Sequence, residues 1–276
     1  MGEVLAILIC VALSCGLVGG LLVVRNQAML ADALSHSVLL GIVLAFFVVK
    51  DLDSPLLMLG ATVFGVLTVF FIEGLASKVL AHDAATGLVF PLLFALAVIL
   101  ISLFARNVHL DIDMVLMGEV LFAPLNRMDL FGLSLPKALV KSIVVLIGVV
   151  SAIGLSFPVL KVYLFDQTQA RLAGISRLAL EIFLTLLTAL TIVNSFDSVG
   201  SVSVIALLVG PSMTALLWVK QFKKLMFWTC LVALVEVLVA YAVAMALDFT
   251  LAGTCALVCL LGHVVALLLH KNRKSV

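Results

Sequence analysis

Charge is what this sequence has least of. Asp, Glu, Lys and Arg make up 11% of its 276 residues, less than half the roughly 25% found in soluble domains. Apolar residues reach 65%, where a soluble domain carries ~45–50%. Together these exclude a water-soluble globular protein. The formal net charge of +1 comes with no basic face, which removes nucleic acid from the candidate partners. There is no G-x-x-x-x-G-K-[ST] phosphate loop, so any use of ATP requires another chain to bind it. H-E-x-x-H and G-x-S-x-G are missing as well, which removes the usual signatures of an intramembrane enzyme. The five cysteines, Cys10, Cys15, Cys230, Cys255 and Cys259, lie in apolar runs without a C-x-x-C pair and read as inert buried thiols. The N-terminus has Glu3 where a signal peptide has basic residues, so the first apolar run is expected to be retained as a span.

What the sequence has is long apolar runs. A helix needs about 20 apolar residues to cross a ~30 Å hydrocarbon core. On that measure nine spans are expected, at roughly 3–24, 28–49, 55–77, 86–105, 138–163, 176–195, 199–219, 225–247 and 250–270. The fold class is all-α: a polytopic membrane helix bundle forming a single transmembrane domain over residues 1–276. An eight-span alternative makes 195–203 a re-entrant or broken-helix segment, because Ser195, Asp197, Ser198, Ser201 and Ser203 crowd it. With the N-terminus outside, eleven Lys and Arg residues fall on inner connections and five on outer ones. The positive-inside rule then gives N-out and C-in.

Two ionisable residues stand inside the second span. Asp32 and His36 occur in Ala31-Asp32-Ala33-Leu34-Ser35-His36-Ser37, and a spacing of four puts both on one helix face. Such residues at membrane depth are costly and mark function by default. A carboxylate oxygen with an imidazole suits a divalent metal ion; the alternative is a structural pair that pins two helices. Glu236 stands alone in the eighth span, where it either lines a pathway or holds the bundle through hydrogen bonds. His263 reads as a packing histidine. His82, His270 and Glu181 lie near span ends and need no role.

The connections add weaker signals. Asp51, Asp53, Asp111 and Asp113 fall on outer connections. An acidic outer rim would gather cations, though a solvated rim has the same composition. His109 with Asp111 and Asp113 is an auxiliary ligand cluster on the same uncertain footing, and Met114 to Pro124 is expected to form a short surface helix. On the inner side, Asp166 can cap and Gly174 can end a two-turn helix through Gln167, Thr168, Gln169, Ala170, Arg171, Leu172 and Ala173. Its amphipathicity runs through Ala170 and Leu172. Gly210-Pro211 is expected to kink or interrupt the seventh span.

Four of these stretches, in order, resemble the permease subunits of bacterial ABC importers for zinc, manganese or chelated iron. They are Ala31 to Ser37, Ala84-Ala85-Thr86-Gly87-Leu88-Val89-Phe90, Phe165 to Ile175, and Val199-Gly200 through Gly210-Pro211. The Asp-x-x-Ser-His element is fairly specific and the other three persuade together. The resemblance covers essentially the whole chain. It implies a type II importer fold in the bacterial cytoplasmic membrane, paired with a second permease copy or a paralogue. It also implies two cytoplasmic ATPase subunits that bind the ATP, an extracytoplasmic metal-binding protein, and Mn2+, Zn2+ or Fe2+ as transported ion. Asp32 and His36 fall on the family's pathway residues, and 166–174 on its coupling helix. No cofactor is implied for this chain. An ATP-independent secondary metal transporter or channel is the other reading; it has no need of a docking helix on the inner side.

The charge bias makes a direct prediction. A cysteine at position 275 (Ser275→Cys), in a background without the native cysteines, will resist impermeant thiol reagents in intact cells and react after permeabilisation. Rapid labelling of intact cells would reverse the orientation.

Overall fold

The structure, a computed structural model, describes residues 2–50, 54–76, 80–104, 120, 126–130 and 133–274. In chain order the elements are α1 (Gly2–Val24), α2 (Ala28–Val49), α3 (Pro55–Leu75), α4 (His82–Phe104), β1 (Arg127–Leu130), β2 (Leu133–Pro136), α5 (Lys137–Phe165), α6 (Gln167–Leu172), α7 (Arg177–Val199), α8 (Ser201–Trp218), α9 (Phe222–Leu247) and α10 (Leu251–Lys274). Backbone polar groups have no water to bond with inside a bilayer, so runs of this apolarity fold as helices that satisfy them internally. Among the described residues eight helices are long and apolar enough to cross a membrane. The 21-residue α3 is a ninth long helix, with an apolar stretch at Leu59–Leu75. The expected count of about nine, with eight as alternative, contains both figures.

The seventh span begins where the polar cluster had left the outcome open. α7 runs on to Val199, the single residue Gly200 turns the chain at φ 81°, and α8 starts at Ser201. The helix outlasts the expected end at 195 because its polar residues bond inward. Ser198 Oγ donates to the Asn194 carbonyl within α7 (3.4 Å), and Ser203 Oγ of α8 reaches back across the Gly200 turn to the Val199 carbonyl (3.0 Å). Such i−4 bonds let a hydroxyl sit in an apolar helix. α8 also passes through Pro211 without interruption. Ser212 supplies a hydroxyl donor one residue on, within 3.1 Å of the Leu208 carbonyl and 3.2 Å of the Gly16 carbonyl on α1.

The connection between α4 and α5 ends in a hairpin that the sequence reading had not foreseen. β1 and β2 pair antiparallel from Arg127↔Pro136 to Leu130↔Leu133. The Arg127 guanidinium donates to Glu3 at 2.7 Å and to the Ser134 carbonyl at 2.9 Å, fastening the hairpin to the start of α1. All of the expected helix at 114–124 except Val120, and the acidic residues Asp51, Asp53, Asp111 and Asp113 with His109, lie outside the described residues.

Packing is centred on α1, which lies against α5, α7, α8 and α9. A second layer forms where α2 packs on α3 and α4. Both depend on glycine. A Cβ at Gly19 would overlap the Leu208 carbonyl of α8. Gly41 of α2 and Gly60 of α3 meet backbone to backbone, and a Cβ on Gly60 would stand 2.6 Å from the Gly41 carbonyl oxygen. In lipid, helices associate through such close van der Waals contact. Gly148 on α5 is different, since a Cβ there meets nothing within 4 Å.

Gly19→Ala is therefore expected to lower the melting temperature of the purified protein by several degrees or prevent its accumulation, in keeping with overpacking costs of ~1–3 kcal/mol. Gly148→Ala should match wild type. Equal melting of the two variants would contradict this account of α1.

Candidate functional site

α2 is the helix to begin with. Ala31, Ala33, Leu34, Ser35 and Ser37 are buried, while Asp32 and His36 keep part of their surface open. His36 Nε2 lies 3.4 Å from Asp32 Oδ1, with the imidazole 28% and the carboxylate 41% exposed. These exposures matter, because a pair sealed among helices could not meet an ion. The two serines between and beside them are already engaged. Ser35 Oγ donates to the Asp32 carbonyl (2.6 Å), and Ser37 Oγ to that of Leu34 (3.3 Å). They stabilise their own helix and leave the carboxylate and imidazole as the open polar groups.

The imidazole is positioned by α4. Phe90 stacks on it with centroids 5.9 Å apart and 22° between planes; Phe94 meets it edge-on at 5.2 Å. Nδ1 is buried with no hydrogen-bond partner among the described residues. The aromatic pair holds the ring where Nε2 faces Asp32. Sequence reading did not link α4 to this site. The Phe-x-x-x-Phe spacing was the available signal, but Phe is common in every span.

Glu236 is not brought to this pair. It is 6% exposed on α9, a helix that packs on α1, α8 and α10, whereas α2 packs chiefly on α3 and α4. Its carboxyl lies against Gly262 of α10, where a Cβ would come within 3.0 Å of Oε1. Neither carboxyl oxygen has a hydrogen-bond partner among the described residues. Among those residues no three His, Cys, Asp or Glu side chains gather into a metal-binding group. Among the described residues one chain thus brings two candidate ligand side chains, Asp32 and His36, together. His263 meets Thr214 Oγ1 through Nδ1 at 3.1 Å, joining α10 to α8.

The short helix after α5 forms as expected. Asp166 Oδ1 accepts from the Gln169 N–H at 2.8 Å. At the other end Gly174 has φ 70°. The Ile175 N–H bonds the Ala170 carbonyl and the Gly174 N–H that of Arg171, both at 3.0 Å, which is the Schellman arrangement for ending a helix. Its faces differ from the expected ones. Ala170 is 3% exposed and Leu172 85%, so Leu172 belongs to the outward surface with Thr168, Gln169 and Arg171.

A polar cluster at the same end was missed. Glu181 accepts from Arg177 Nε at 2.6 Å and from the Tyr163 hydroxyl at 3.1 Å, with Arg25 at 3.9 Å. Arg177 also approaches Glu73 (3.9 Å), which pairs with His82 at 3.3 Å. The α5, α7, α3 and α4 ends beside α6 are thus tied together through charge, along with the turn after α1. The i, i+4 spacing of Arg177 and Glu181 was the signal available in the sequence.

Comparison with known proteins agrees with this architecture. The chain is 41% identical over 247 residues to the manganese transport system membrane protein MntD of Bacillus subtilis (strain 168), covering 89% of this chain and 84% of that one. It is 44% identical over 210 residues to the zinc transport system membrane protein TroD of Treponema pallidum (strain Nichols), covering 76% of this chain and 57% of TroD. Its fold superposes with a TM-score of 0.79 on a chain of PsaBC from Streptococcus pneumoniae in complex with Fab, at 22% identity and covering 96% and 90% of the two chains. The sequence matches the ABC 3 transport family over residues 1–270, and the chain belongs to that family.

Proposed function

We propose that this chain is the membrane-spanning permease subunit of an ATP-driven importer for a divalent transition metal, and that Asp32 and His36 line the ion's path. The observation that carries this reading is the partly open Asp32–His36 pair within a membrane-length helix. The relatives' names point to the cargo, since MntD is named for manganese transport and TroD for zinc. Oxygen and imidazole donors suit manganese, zinc and ferrous iron alike, so these two side chains do not choose among them.

Two ligands hold a desolvated divalent ion poorly. A second permease copy, or a paralogue, related by a two-fold axis supplies another carboxylate and imidazole and makes a four-ligand site. The ion must leave again, so the coordination is transient. Phe90 and Phe94 keep the imidazole turned toward the carboxylate while it forms. Nothing in this chain hydrolyses ATP; two cytoplasmic ATPase subunits do so, and an extracytoplasmic binding protein delivers the metal. The N-terminus faces outward and α6 faces the cytoplasm, in agreement with the charge bias.

Asp32→Asn keeps shape and removes charge, and His36→Ala removes the imidazole. In the assembled transporter each is expected to cut metal uptake at least tenfold, measured as cell-associated metal, with subunit assembly intact. Wild-type uptake by both variants would make the pair structural.

The reading of α6 as the docking helix rests on a capped two-turn helix with Leu172 presented outward. Leu172→Glu alters that face while leaving Ala170 and the Gly174 turn in place. The expected outcome is a loss of most ATP hydrolysis stimulated by the metal-loaded binding protein, roughly tenfold, in a correctly folded permease. Full stimulation in the Leu172→Glu complex would rule out docking through this face.

A further inference from the structure

A groove between the end of α8 and the start of α9 has no part in the pathway just described. It is about 710 Å³ and is lined by Thr214, Ala215, Trp218, Val219, Lys220, Gln221, Lys224, Trp228 and Val232, within the ~300–1,000 Å³ range of small-ligand sites. We propose that it binds an anionic phospholipid, with the phosphate held by Lys220 and Lys224 and an acyl chain lying along α8 and α9.

The argument begins with the order of the lining residues. Lys220 and Gln221 lie on the connection beyond the last residue of α8, and Lys224 is in the first turn of α9. Trp218 closes α8, and Trp228 lies six residues into α9, about 9 Å along its axis at 1.5 Å per residue. Ala215 and Val232 lie deeper. Thr214, at the same depth, already bonds His263. From the helix ends inward the surface therefore runs basic, then aromatic, then apolar. A phospholipid presents phosphate, glycerol ester and hydrocarbon in that order. Tryptophan is enriched at the level of the headgroups, and long basic side chains reach outward to phosphate from there.

Charge then selects the headgroup. Among the described residues no carboxylate lines the groove, so the amine of a zwitterionic lipid would find no anion among them. Neither Lys220 nor Lys224 has an ion-pair partner among the described residues. Both tryptophans are partly open, at 41% and 43% exposure. Trp218 is fixed from behind by His270, whose ring it meets edge-on at 5.8 Å. The groove also lies at the α6 end of the bundle, since Phe222 packs on Phe157 and Phe165 at the end of α5. Basic residues near that membrane face add electrostatic attraction to anionic lipid.

The sequence supplies its own probe, because its two tryptophans are Trp218 and Trp228, both in the groove. The full chain is reconstituted in vesicles with a minor fraction of chain-brominated phosphatidylglycerol or, separately, chain-brominated phosphatidylcholine. Brominated phosphatidylglycerol is expected to quench tryptophan fluorescence at least twofold more strongly, and Lys220→Gln with Lys224→Gln should abolish the difference. Equal quenching by the two lipids in the wild-type chain would overturn the proposal, as would a selectivity unchanged in the double variant. Removal of the selectivity by millimolar inorganic phosphate would make this a phosphate site and overturn the lipid. Should the double variant not fold, the wild-type comparison and the phosphate arm decide the matter alone. In the permease purified without its ATPase subunits, phosphatidylglycerol should co-purify in excess over its membrane share, and loss of that excess in the assembled transporter would assign the groove to protein docking instead.

Discussion

The bundle depends on backbone meeting backbone where glycine leaves room. In water, apolar faces are driven together by the solvent, but hydrocarbon gives no such drive between helices. What remains is contact at short range. The crossing of α1 with α8 at Gly19 and that of α2 with α3 at Gly41 and Gly60 are the closest of these approaches. The first seats the central helix. The second fixes α2, on which His36 and Asp32 stand about 7.5 Å and about 13.5 Å along the axis from Gly41, at ~1.5 Å of rise per residue.

Polar groups are treated in two ways in this molecule. Hydroxyls inside the spans are spent locally, as Ser198, Thr188 and Thr191 donate to carbonyls of their own helix and Ser203 donates back across the Gly200 turn to Val199. Charges at the α6 end are neutralised between helices, with Glu181 and Arg25 only 14% and 13% exposed and Arg177 and Tyr163 completing the set. Removing one member of such a group leaves an uncompensated charge in a poorly solvated place. Asp32 and His36 follow neither pattern fully. They face each other at 3.4 Å, longer than a good hydrogen bond, and both remain open.

The sequence carried most of this because the relevant signals are local. A run of some 20 apolar residues makes a span regardless of its neighbours, and the Asp166 and Gly174 caps act within a few residues of chain. Most of the misses were pairings between distant elements. Phe90 and Phe94 on His36, Glu181 with Tyr163 and Arg25, and the Arg127–Glu3 clasp each join segments far apart in the chain. Leu172 was misjudged for a related reason: in a helix of six residues the buried face is chosen by what lies behind it, here α5, and not by the pattern of the helix itself. Pro211 is a third case. Its sequence signal predicts a kink or an interruption; the helix is not interrupted, and Ser212 ties it to the Leu208 carbonyl and to α1.

The division of the molecule into layers also separates its two kinds of ionisable residue. Asp32 and His36 belong to the α2 layer, which packs on α3 and α4; Glu236 belongs to the α9–α10 side of α1. An ion carried at the first pair need not meet the second. A helix that serves as a pathway wall has to be gripped on one side and left open on the other. α2 satisfies this through its composition: small buried residues surround the pair, glycine allows the close approach of α3, and two aromatic rings from α4 fix the imidazole from the side. A bulkier helix would hold itself apart from α3, and one with freer serines would offer the ion competing donors. The Ala-Asp-Ala-Leu-Ser-His-Ser run is thus a packing sequence as well as the one proposed to carry the ion's ligands.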